Sequence, residues 1–458
     1  MTQGISRREL ARAAAGAGLV VLADSRSARG YPQNEKLSIA LVGSGGRGEW
    51  FVSNVPREQN LVALCDVNDD RAAISYGALP GVPKYRDFRR MLEERGREID
   101  GVIVAAPDHV HAAASMMAIR MGKHVFCEKP LTHDIAEARA LRRAAARSRV
   151  ATQLGNQGTS SEGFRRAVEI VRAGALGEVR EVYAWNAQGG SGARELPGDD
   201  GAPPEHLSWD LWLGPAAERP YHPHWLRWHA WRDFGTGQLG NWATHSMNLP
   251  FMALGLDRLW DRPAPGQPAP RVRVRAEVEE VRRVTFPQWE IVTYDFPARG
   301  ALPPVTVRWV NGSAIPRGRD RLEGFIGRRF DWEGLPGRRT EDFAGCVLVG
   351  ERGLLHATGH NMSYTLLPAN RWVGFEAPPR TLPRTPSHER EWYDACRGGP
   401  APLSSFEYGA RLAEFTLIGN IATLHPEGIV YDPVAGRVVS PRNASADLRR
   451  ARRRGWEL

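Results

Sequence analysis

Short apolar runs alternate with longer amphipathic segments between residues 37 and 172. Four of these runs have the length and composition of buried strands, at residues 37–42, 61–66, 101–106 and 124–127. Segments rich in Ala, Arg and Glu at helical spacing lie between and after them, for example at residues 112–121 and 135–148. This regular alternation predicts a parallel sheet with helices on both faces.

The pattern changes after residue 179. Strand candidates then follow one another without helices between most of them, at residues 179–186, 272–281, 288–296, 305–310, 345–349 and 353–358. Such a succession predicts a large, mostly antiparallel open sheet with one covered face. The Trp- and His-rich stretch 209–242 predicts loops with short helices, and residues 387–396 and 408–424 predict longer helices.

The predicted fold class is therefore α/β, with a doubly wound parallel sheet followed by a second α/β domain. We place the first domain at residues 35–160 and the second at residues 161–440. The length of 458 residues suits two domains that each have a core of their own.

The net charge of +9 is concentrated at the two ends of the sequence. Residues 1–30 carry +3 and residues 449–458 carry +4, which leaves +2 for the rest of the chain. A nucleic-acid footprint on the body is therefore not indicated. We interpret residues 441–458 as a basic C-terminal tail whose arginines form a solvated face or a subunit contact.

The first thirty residues predict an export signal. Ser6-Arg7-Arg8-Glu9-Leu10 resembles the twin-arginine consensus, and a weakly apolar run at residues 13–23 follows it. That run is too short to span a bilayer, so we expect a signal peptide at residues 1–30, a periplasmic or extracytoplasmic location and no stable membrane insertion. An untargeted N-terminus is the alternative. The four cysteines do not indicate a disulfide framework in a chain of this length.

A glycine-rich loop joins the first predicted strand to the first predicted helix. Its glycines permit a tight turn and a close approach of backbone N–H groups to a pyrophosphate, which the helix N-terminus also attracts. Asp66 ends the second strand, 18 residues after the last glycine, where an acid binds the ribose hydroxyls and repels a 2′-phosphate. The cofactor predicted is NAD. The loop residues are Gly43, Ser44, Gly45, Gly46, Arg47 and Gly48.

Lys129 is one of four lysines in a chain with 61 basic residues, and it stands between Glu128 and Pro130. Where Arg is the default cation, a retained Lys suggests chemistry that needs a removable proton. The histidines His222, His224 and His229 are too loosely spaced, and lack an accompanying acid or thiol, to predict a metal site.

Three motifs together resemble the glucose–fructose oxidoreductase / inositol dehydrogenase (Gfo/Idh/MocA) family. They are the glycine-rich loop 43–48, Ala-Ala-Pro-Asp-His-Val-His at 105–111, and Gly-Lys-His-Val-Phe-Cys-Glu-Lys-Pro-Leu at 122–131. The resemblance extends over residues 37–430. It implies a Rossmann domain, a second domain whose open sheet covers the nicotinamide, a sugar or glycoside substrate, and a homo-oligomer formed through that sheet.

The resemblance also implies roles for single residues. Lys129 would lie beside the reacting carbon and the nicotinamide, and Glu128 would help to position the cofactor. The end of the fourth strand would pass beneath the nicotinamide ribose, which adds Ala106, Pro107 and His111 to the cofactor-binding residues.

A second family motif has Asp, three further residues and then His. This chain has Asn241 and His245 at those positions, so Asn replaces the usual Asp. Their spacing puts both on one face of a helix, and His is suited to take a hydroxyl proton at neutral pH. The catalytic candidates are Lys129 and His245, and the sequence does not rank them as bases. The substrate-binding candidates also include Asn156, Gln157, Trp185 and Asn241.

The functional hypothesis is an exported NAD-dependent oxidoreductase of a sugar, polyol or glycoside that retains its cofactor. One alternative is an NAD-dependent glycoside hydrolase that oxidises its substrate transiently, eliminates the aglycone, adds water and reduces the product back. The other is a non-catalytic protein that binds a nucleotide or sugar.

Overall fold

The structure is a computed structural model that describes residues 36–190, 195–312, 323–324, 329–334 and 343–458. The twin-arginine-like sequence lies outside the described residues, so the signal peptide stays a prediction. In the described part of the chain, no helix is both long enough and apolar enough to cross a membrane. All four cysteines are free and buried.

The first domain is built on a six-stranded parallel sheet with the order β3-β2-β1-β4-β5-β6. The strands are β1 Ser38–Val42, β2 Asn60–Cys65, β3 Lys84–Tyr85, β4 Gly101–Val104, β5 His124–Glu128 and β6 Thr152–Gly155. The chain order of these strands reverses between β1 and β4, which creates a crevice at their carboxyl ends. The predicted doubly wound parallel sheet is confirmed.

Helices connect these strands and cover both faces of the sheet. They are α1 Arg47–Glu58, α2 Asp69–Ala78, α3 Phe88–Arg95, α4 Asp108–Arg120, α5 Ile135–Arg147 and α6 Glu162–Arg172. Local chemistry fixes where they begin. Asp134 and Glu137 form a capping box at the start of α5, and the Asn68 side chain caps α2.

The second domain holds a nine-stranded sheet with the order β13-β12-β11-β7-β10-β9-β8-β14-β15. Its strands are β7 Val179–Asn186, β8 Val272–Val278, β9 Trp289–Phe296, β10 Val305–Gly312, β11 Ala344–Gly350, β12 Gly353–Thr358, β13 Tyr364–Leu367, β14 Ile429–Asp432 and β15 Arg437–Ser440. All pairs are antiparallel except β7 with β10. The predicted large, mostly antiparallel sheet is confirmed, with three short strands, β13, β14 and β15, that the sequence pattern did not indicate.

The remaining helices join the two domains. They are α7 Trp209–Leu213, a π-helical turn at Leu239–Ala243, α8 Thr244–Ser246, α9 Asn248–Ala253, α10 His388–Cys396 and α11 Phe406–Ala422. α11 packs on both α5 and β8. α10 returns to the first domain, where Trp392 and Cys396 pack with Leu41 and Phe126.

Residues 449–458 also return to the first domain. The Arg450 backbone N–H donates to Asp134 Oδ2 at 3.0 Å, and Trp456 is 7% exposed. The expected basic tail with a solvated face is therefore a packed segment, because an indole and several paired guanidinium groups hold it against the protein.

Candidate active site

A cavity of about 970 Å³ lies at the carboxyl ends of the strands of the first sheet. This is the edge where open α/β sheets bind their ligands. The walls come from both domains. The first domain contributes the glycine-rich loop, Asp66 and Lys129, and the second contributes His245 and His360.

The glycine-rich loop can accept only glycine at its tightest points. Gly43 has φ of +86°, and a Cβ there would lie 2.6 Å from the backbone of Ala105. A Cβ on Gly48 would lie 2.1 Å from the Gly43 carbonyl oxygen. Gly43, Gly45, Gly46 and Arg47 line the cavity. The other two loop residues, Ser44 and Gly48, lie on the side away from the cavity. The Ser44 hydroxyl donates to the Cys65 carbonyl at 3.3 Å.

Asp66 lies directly beside this loop. Its Oδ2 accepts N–H groups from Ser44 at 2.8 Å and Gly45 at 3.0 Å, and its Oδ1 accepts the N–H of Asn68 at 3.0 Å. Burial raises the pKa of this carboxyl, and the three N–H donors oppose that rise. The glycine cradle, the N-terminus of α1 and this carboxylate together fit a dinucleotide with a free ribose diol.

Glu128 connects the loop to the end of β5. It is 5% exposed, and its Oε1 accepts a hydrogen bond from Arg47 Nε at 2.7 Å. Because Arg47 belongs to the loop, this ion pair fixes the loop relative to Lys129, the next residue. The structure thus gives Glu128 a contact through which it positions the cofactor loop.

Lys129 extends into the cavity and donates from Nζ to Asn241 Oδ1. Burial lowers the pKa of this ammonium, whereas the negative charges of Glu128 and Asp108 raise it. Asp108 is a cavity residue that the sequence analysis did not select as a site residue. Burial raises its pKa to about 6, although the charges of His111 and Lys129 and a 2.6 Å bond from Thr236 Oγ1 favour the ionised form.

His245 and Asn241 line the same end of the cavity as Lys129. His245 is 3% exposed, and its Nδ1 has no hydrogen-bond partner among the described residues. Burial lowers the pKa of the imidazole well below its usual value, and the nearby charges of Lys129 and His360 lower it further. The His245 imidazole is therefore neutral near pH 7.

A compact turn carries the pair formed by Asn241 and His245. The π-helical turn 239–243 replaces the regular helix that the spacing predicts, and it runs directly into α8. A Cβ on Gly240 would lie 1.9 Å from Thr236 Oγ1, so this segment closes tightly on itself. π-Helical turns of this kind are frequent at functional sites.

Two histidines in the cavity were not selected as site residues. The His360 ring centroid lies 4.6 Å from that of His245 and 5.1 Å from that of Trp242. The following residue, Asn361, has φ of +56°, and its Oδ1 accepts the Leu249 N–H at 3.0 Å, which holds the turn in place. A single His after a strand carries no sequence signal for this role.

His229 is the other missed residue. The spacing of His222, His224 and His229 does not predict a metal site, yet His229 lines the cavity and its ring stacks on Trp228 with centroids 3.4 Å apart. The rings of His222 and His224 are 4.6 Å apart. In the described ranges, no group of three or more His, Cys, Asp or Glu residues could hold a metal ion.

Three further predicted site residues line the cavity: Ala106, Pro107 and Gln157. His111 is buried behind it, with Nδ1 2.6 Å from the Pro130 carbonyl oxygen and Nε2 2.7 Å from that of Ala106. His111 therefore ties the ends of β4 and β5 together and does not face a ligand.

Asn156 and Trp185 are corrected in the same way as substrate-binding candidates. Asn156 is fully buried and accepts the Ser404 hydroxyl at 2.6 Å. Trp185 packs with Val310 and Val347 on the face of the second sheet that points away from the cavity. Its neighbour on β7, Ala184, faces the main core instead.

Comparison with known proteins agrees with this geometry. Residues 37–156 match the Gfo/Idh/MocA family model, described as an oxidoreductase family with an NAD-binding Rossmann fold. The inositol 2-dehydrogenase of Gluconacetobacter diazotrophicus is 31% identical over 154 residues, which cover 33% of this chain and 45% of that protein. The rhizopine catabolism protein MocA of Rhizobium meliloti is 30% identical over 154 residues, which cover 33% of this chain and 48% of that protein. The chain thus spans less than half the length of these curated relatives.

Solved structures match over much more of the chain. The WlbA dehydrogenase from Bordetella pertussis, in complex with NADH and UDP-GlcNAcA, has a TM-score of 0.56 at 15% identity, covering 85% of this chain and 97% of its own. GenD2 from gentamicin A biosynthesis, in complex with NAD, has a TM-score of 0.56 at 18% identity, covering 88% and 98%. The two-domain fold class is confirmed, and so is NAD as the predicted cofactor. Residues 37–156 therefore match the NAD-binding Rossmann domain of the Gfo/Idh/MocA family.

Proposed function

We propose that this protein is an NAD-dependent oxidoreductase that acts at a secondary alcohol carbon of a sugar, polyol or glycoside. One observation carries the proposal. Lys129, Asn241 and His245 converge at the β5 end of a cavity whose other end fits a dinucleotide. A base, a cation and an amide at one point are the groups that alcohol oxidation requires.

A nicotinamide dinucleotide held by the glycine-rich loop and Asp66 would supply the acceptor for the hydride of the carbon that carries the hydroxyl. His245, kept neutral by burial, takes the hydroxyl proton, and the ammonium of Lys129 stabilises the oxygen as the C=O bond forms. Asn241 accepts a hydrogen bond from Lys129 Nζ and so orients it. The reverse reaction returns hydride and proton along the same path.

The cavity walls suit a carbohydrate. Trp228 and Trp242 present aromatic surface, and Gln157, Gln238 and Asn241 present amides. Aromatic faces pack against the C–H faces of sugar rings, and amides pair with hydroxyl groups. The polyol and sugar chemistry in the names of the matched proteins supports the same class of substrate.

We further propose that the protein is exported and retains its cofactor through turnover. The support is the twin-arginine-like sequence at residues 6–10 together with a site for a nucleotide that is scarce outside the cytoplasm. The test uses purified protein without added NAD and substrates deuterated at each ring carbon in turn. A retained cofactor gives many turnovers and returns deuterium to a product. Activity that stops after one turnover and resumes only with soluble NAD contradicts retention.

A redox-neutral glycoside hydrolase is the second candidate. His229 and His360 favour it, because the cavity holds two imidazoles beyond the pair that alcohol oxidation needs. Elimination requires a base to remove the proton next to the new carbonyl and an acid to protonate the departing aglycone. Reaction in D2O separates the two functions. Elimination and water addition place solvent deuterium on the carbon next to the oxidised one at the rate of product formation, whereas a simple oxidoreductase does not.

The homo-oligomer remains part of the proposal. Its support is the family resemblance, since the Trp185, Val310 and Val347 side chains on the sheet face that points away from the active site are at most 5% exposed and pack within the chain. Light scattering on the purified protein gives its mass in solution. A monomer at micromolar concentration contradicts the oligomer without affecting the proposed chemistry.

A further inference from the structure

The arginine-rich segment 449–458 is not used by the proposed chemistry, yet the structure holds it firmly. Arg452 Nη2 donates to Glu137 Oε1 at 2.8 Å, and both side chains are largely buried. The Arg450 backbone N–H donates to Asp134 Oδ2. Since Asp134 and Glu137 also form the capping box of α5, the segment is attached to a rigid helix start.

A second set of contacts attaches the segment to α7. Arg453 Nε donates to the Gly214 carbonyl at 2.9 Å, and its Nη2 donates to the Asp210 carbonyl at 2.7 Å. Arg453 also pairs with the Asp210 carboxylate, and its backbone N–H donates to the Pro215 carbonyl at 3.0 Å. The segment therefore bridges α5 and α7 across the surface of the first domain.

These anchors hold Trp456 in the wall of the cavity. The Arg89 guanidinium carbon lies 4.3 Å from the centroid of the Trp456 ring, and the Phe88 ring lies 6.0 Å away in an edge-on arrangement. A cation on one face and an aromatic edge on another fix the indole in one orientation. Phe88, Asp87 and Trp456 line the same cavity as the glycine-rich loop.

The topology shows which end of the cavity this is. Asp87 and Phe88 follow β3, and Lys129 follows β5, with β2, β1 and β4 between these two strands. Four strand spacings separate the ends, roughly 19 Å at about 4.8 Å each. In doubly wound sheets the adenosine half of a dinucleotide lies by the β1–β2 side and the nicotinamide by the β4–β5 side. Trp456 therefore lies at the adenosine end.

We propose that segment 449–458 is part of the nucleotide site, with Trp456 as the outer wall of the adenine pocket and the arginine anchors as the strap that keeps this wall closed. The ligand it contacts is the purine of the dinucleotide. The strap slows dissociation of the bound nucleotide and so provides the cofactor retention on which the proposed function relies. Release is measured without any sugar, so failure of this inference and failure of the proposed function are distinguishable.

The experiment measures the release rate of bound NADH from the full-length protein. Protein loaded with NADH is mixed with a large excess of NAD, and the loss of bound NADH fluorescence is followed. Trp456→Ala is expected to release NADH about tenfold faster, the effect of losing one aromatic contact to a base. Trp456→Phe keeps an aromatic wall and is expected to stay close to the parent protein.

Two further variants keep the test decisive. Asp210→Ala removes an anchor outside the cavity and is expected to accelerate release by a few-fold while Trp456 is intact, because the Arg453 pairing is weakened. Arg454→Ala is the matched control, since it removes a positive charge from an exposed position in the same segment. It should leave the release rate unchanged.

The outcomes separate cleanly. Unchanged release in a folded Trp456→Ala protein overturns the inference. If that variant does not fold, unchanged release in Asp210→Ala overturns it instead. Equal acceleration by Arg454→Ala also overturns it, because bulk positive charge would then retain the nucleotide.

Discussion

The two ends of the cavity are built in different ways. The nucleotide end is centred on one loop of consecutive residues, 43–48, whose polar groups are already paired, as the N–H groups of Ser44 and Gly45 are with Asp66. The substrate end consists of side chains from distant parts of the chain, and His245 Nδ1 has no partner within the described residues. The nucleotide end is thus a preformed binding site made of backbone groups. The substrate end is a set of side chains with a hydrogen-bonding position left for the substrate.

The difference explains why the cofactor is easier to identify than the substrate. A backbone cradle needs glycine at fixed spacing, so it leaves a local sequence motif. A substrate pocket needs only that side chains meet in space, so residues such as Lys129, His229 and His360 leave no common pattern. Variants at each end should therefore affect different measured quantities.

The largest expected effect is at the substrate end. Lys129→Met should lower kcat by roughly 10²-fold or more, the scale of losing a group that stabilises developing charge, while the protein still purifies with its nucleotide. Lys129→Arg should not restore the rate, because a planar guanidinium does not place its charge at the substrate oxygen as the compact ammonium of Lys129 does. Lys84→Met is the matched control, since Lys84 is exposed and bonds the Pro80 carbonyl at 2.8 Å. Near-parent kcat in the Arg variant would show that any cation at this position is sufficient.

At the nucleotide end, the substitution with the largest expected effect is Gly48→Ala. The new Cβ would lie 2.1 Å from the Gly43 carbonyl oxygen and must push α1 away from the loop. We expect nucleotide affinity to fall roughly ten- to a hundredfold, as for other overpacked sites, with the fold retained. Gly77→Ala is the control, because a Cβ there meets nothing within 4 Å. Isothermal titration with NAD measures both, and equal affinities in the two variants would contradict a tight loop.

A second substitution at the nucleotide end, Asp66→Asn, tests the preference for NAD over NADP. The amide keeps an oxygen that can accept the loop N–H groups but removes the charge that repels a 2′-phosphate. The preference for NAD over NADP should narrow about tenfold, the effect of losing one like-charge contact. Dissociation constants for both nucleotides measure this preference. An unchanged ratio would assign discrimination to another group near the ribose.

The pH dependence of kcat separates the two candidate bases. The pKa of His245 is well below 6.5, so its neutral form persists as pH falls, and the rate should stay nearly flat between about pH 6.5 and 8. If Lys129 were the base, the rate would instead rise about tenfold per pH unit below the pKa of its ammonium. With His245 as the base, kcat should fall at high pH as the Lys129 ammonium loses its proton. Asp108→Asn removes an anion that favours this ammonium, so the fall in kcat should occur at lower pH.

Much of the fold follows from the sequence, because periodicity and local motifs determine it. The end of β5, the glycine loop and Asp66 all lie where the strand pattern predicts. Trp185 shows where this reasoning fails. The last five residues of β7 are all buried, so no alternation of polar and apolar residues reveals which face of the sheet each one takes.

His360, Asp108 and Trp456 were missed for a related reason. Each enters the cavity through a tertiary contact: a turn held by Asn361, a hydrogen bond to Thr236, and a strap anchored on α5 and α7. None of these contacts has a sequence period. His111 was selected for its place in a motif and Asn156 as a substrate-binding candidate, but both serve the packing behind the cavity.

The smallest expected effect compares two tryptophans of the second domain, one in the cavity wall and one in the second sheet. Trp242 lines the cavity and donates from Nε1 to Gln188 Oε1 at 3.1 Å, whereas Trp185 packs on the far face with Val310. Trp242→Leu should raise the substrate KM a few-fold with little change in nucleotide affinity, because the lost aromatic surface faces only the substrate end. Trp185→Leu should leave KM within about twofold of the parent, although it can lower the unfolding midpoint through lost packing. Steady-state kinetics and thermal unfolding on both variants give the comparison. A KM raised as much by Trp185→Leu as by Trp242→Leu would mean that the packing around Trp185 also shapes the substrate end, and the assignment of Trp185 to a purely structural face would be wrong.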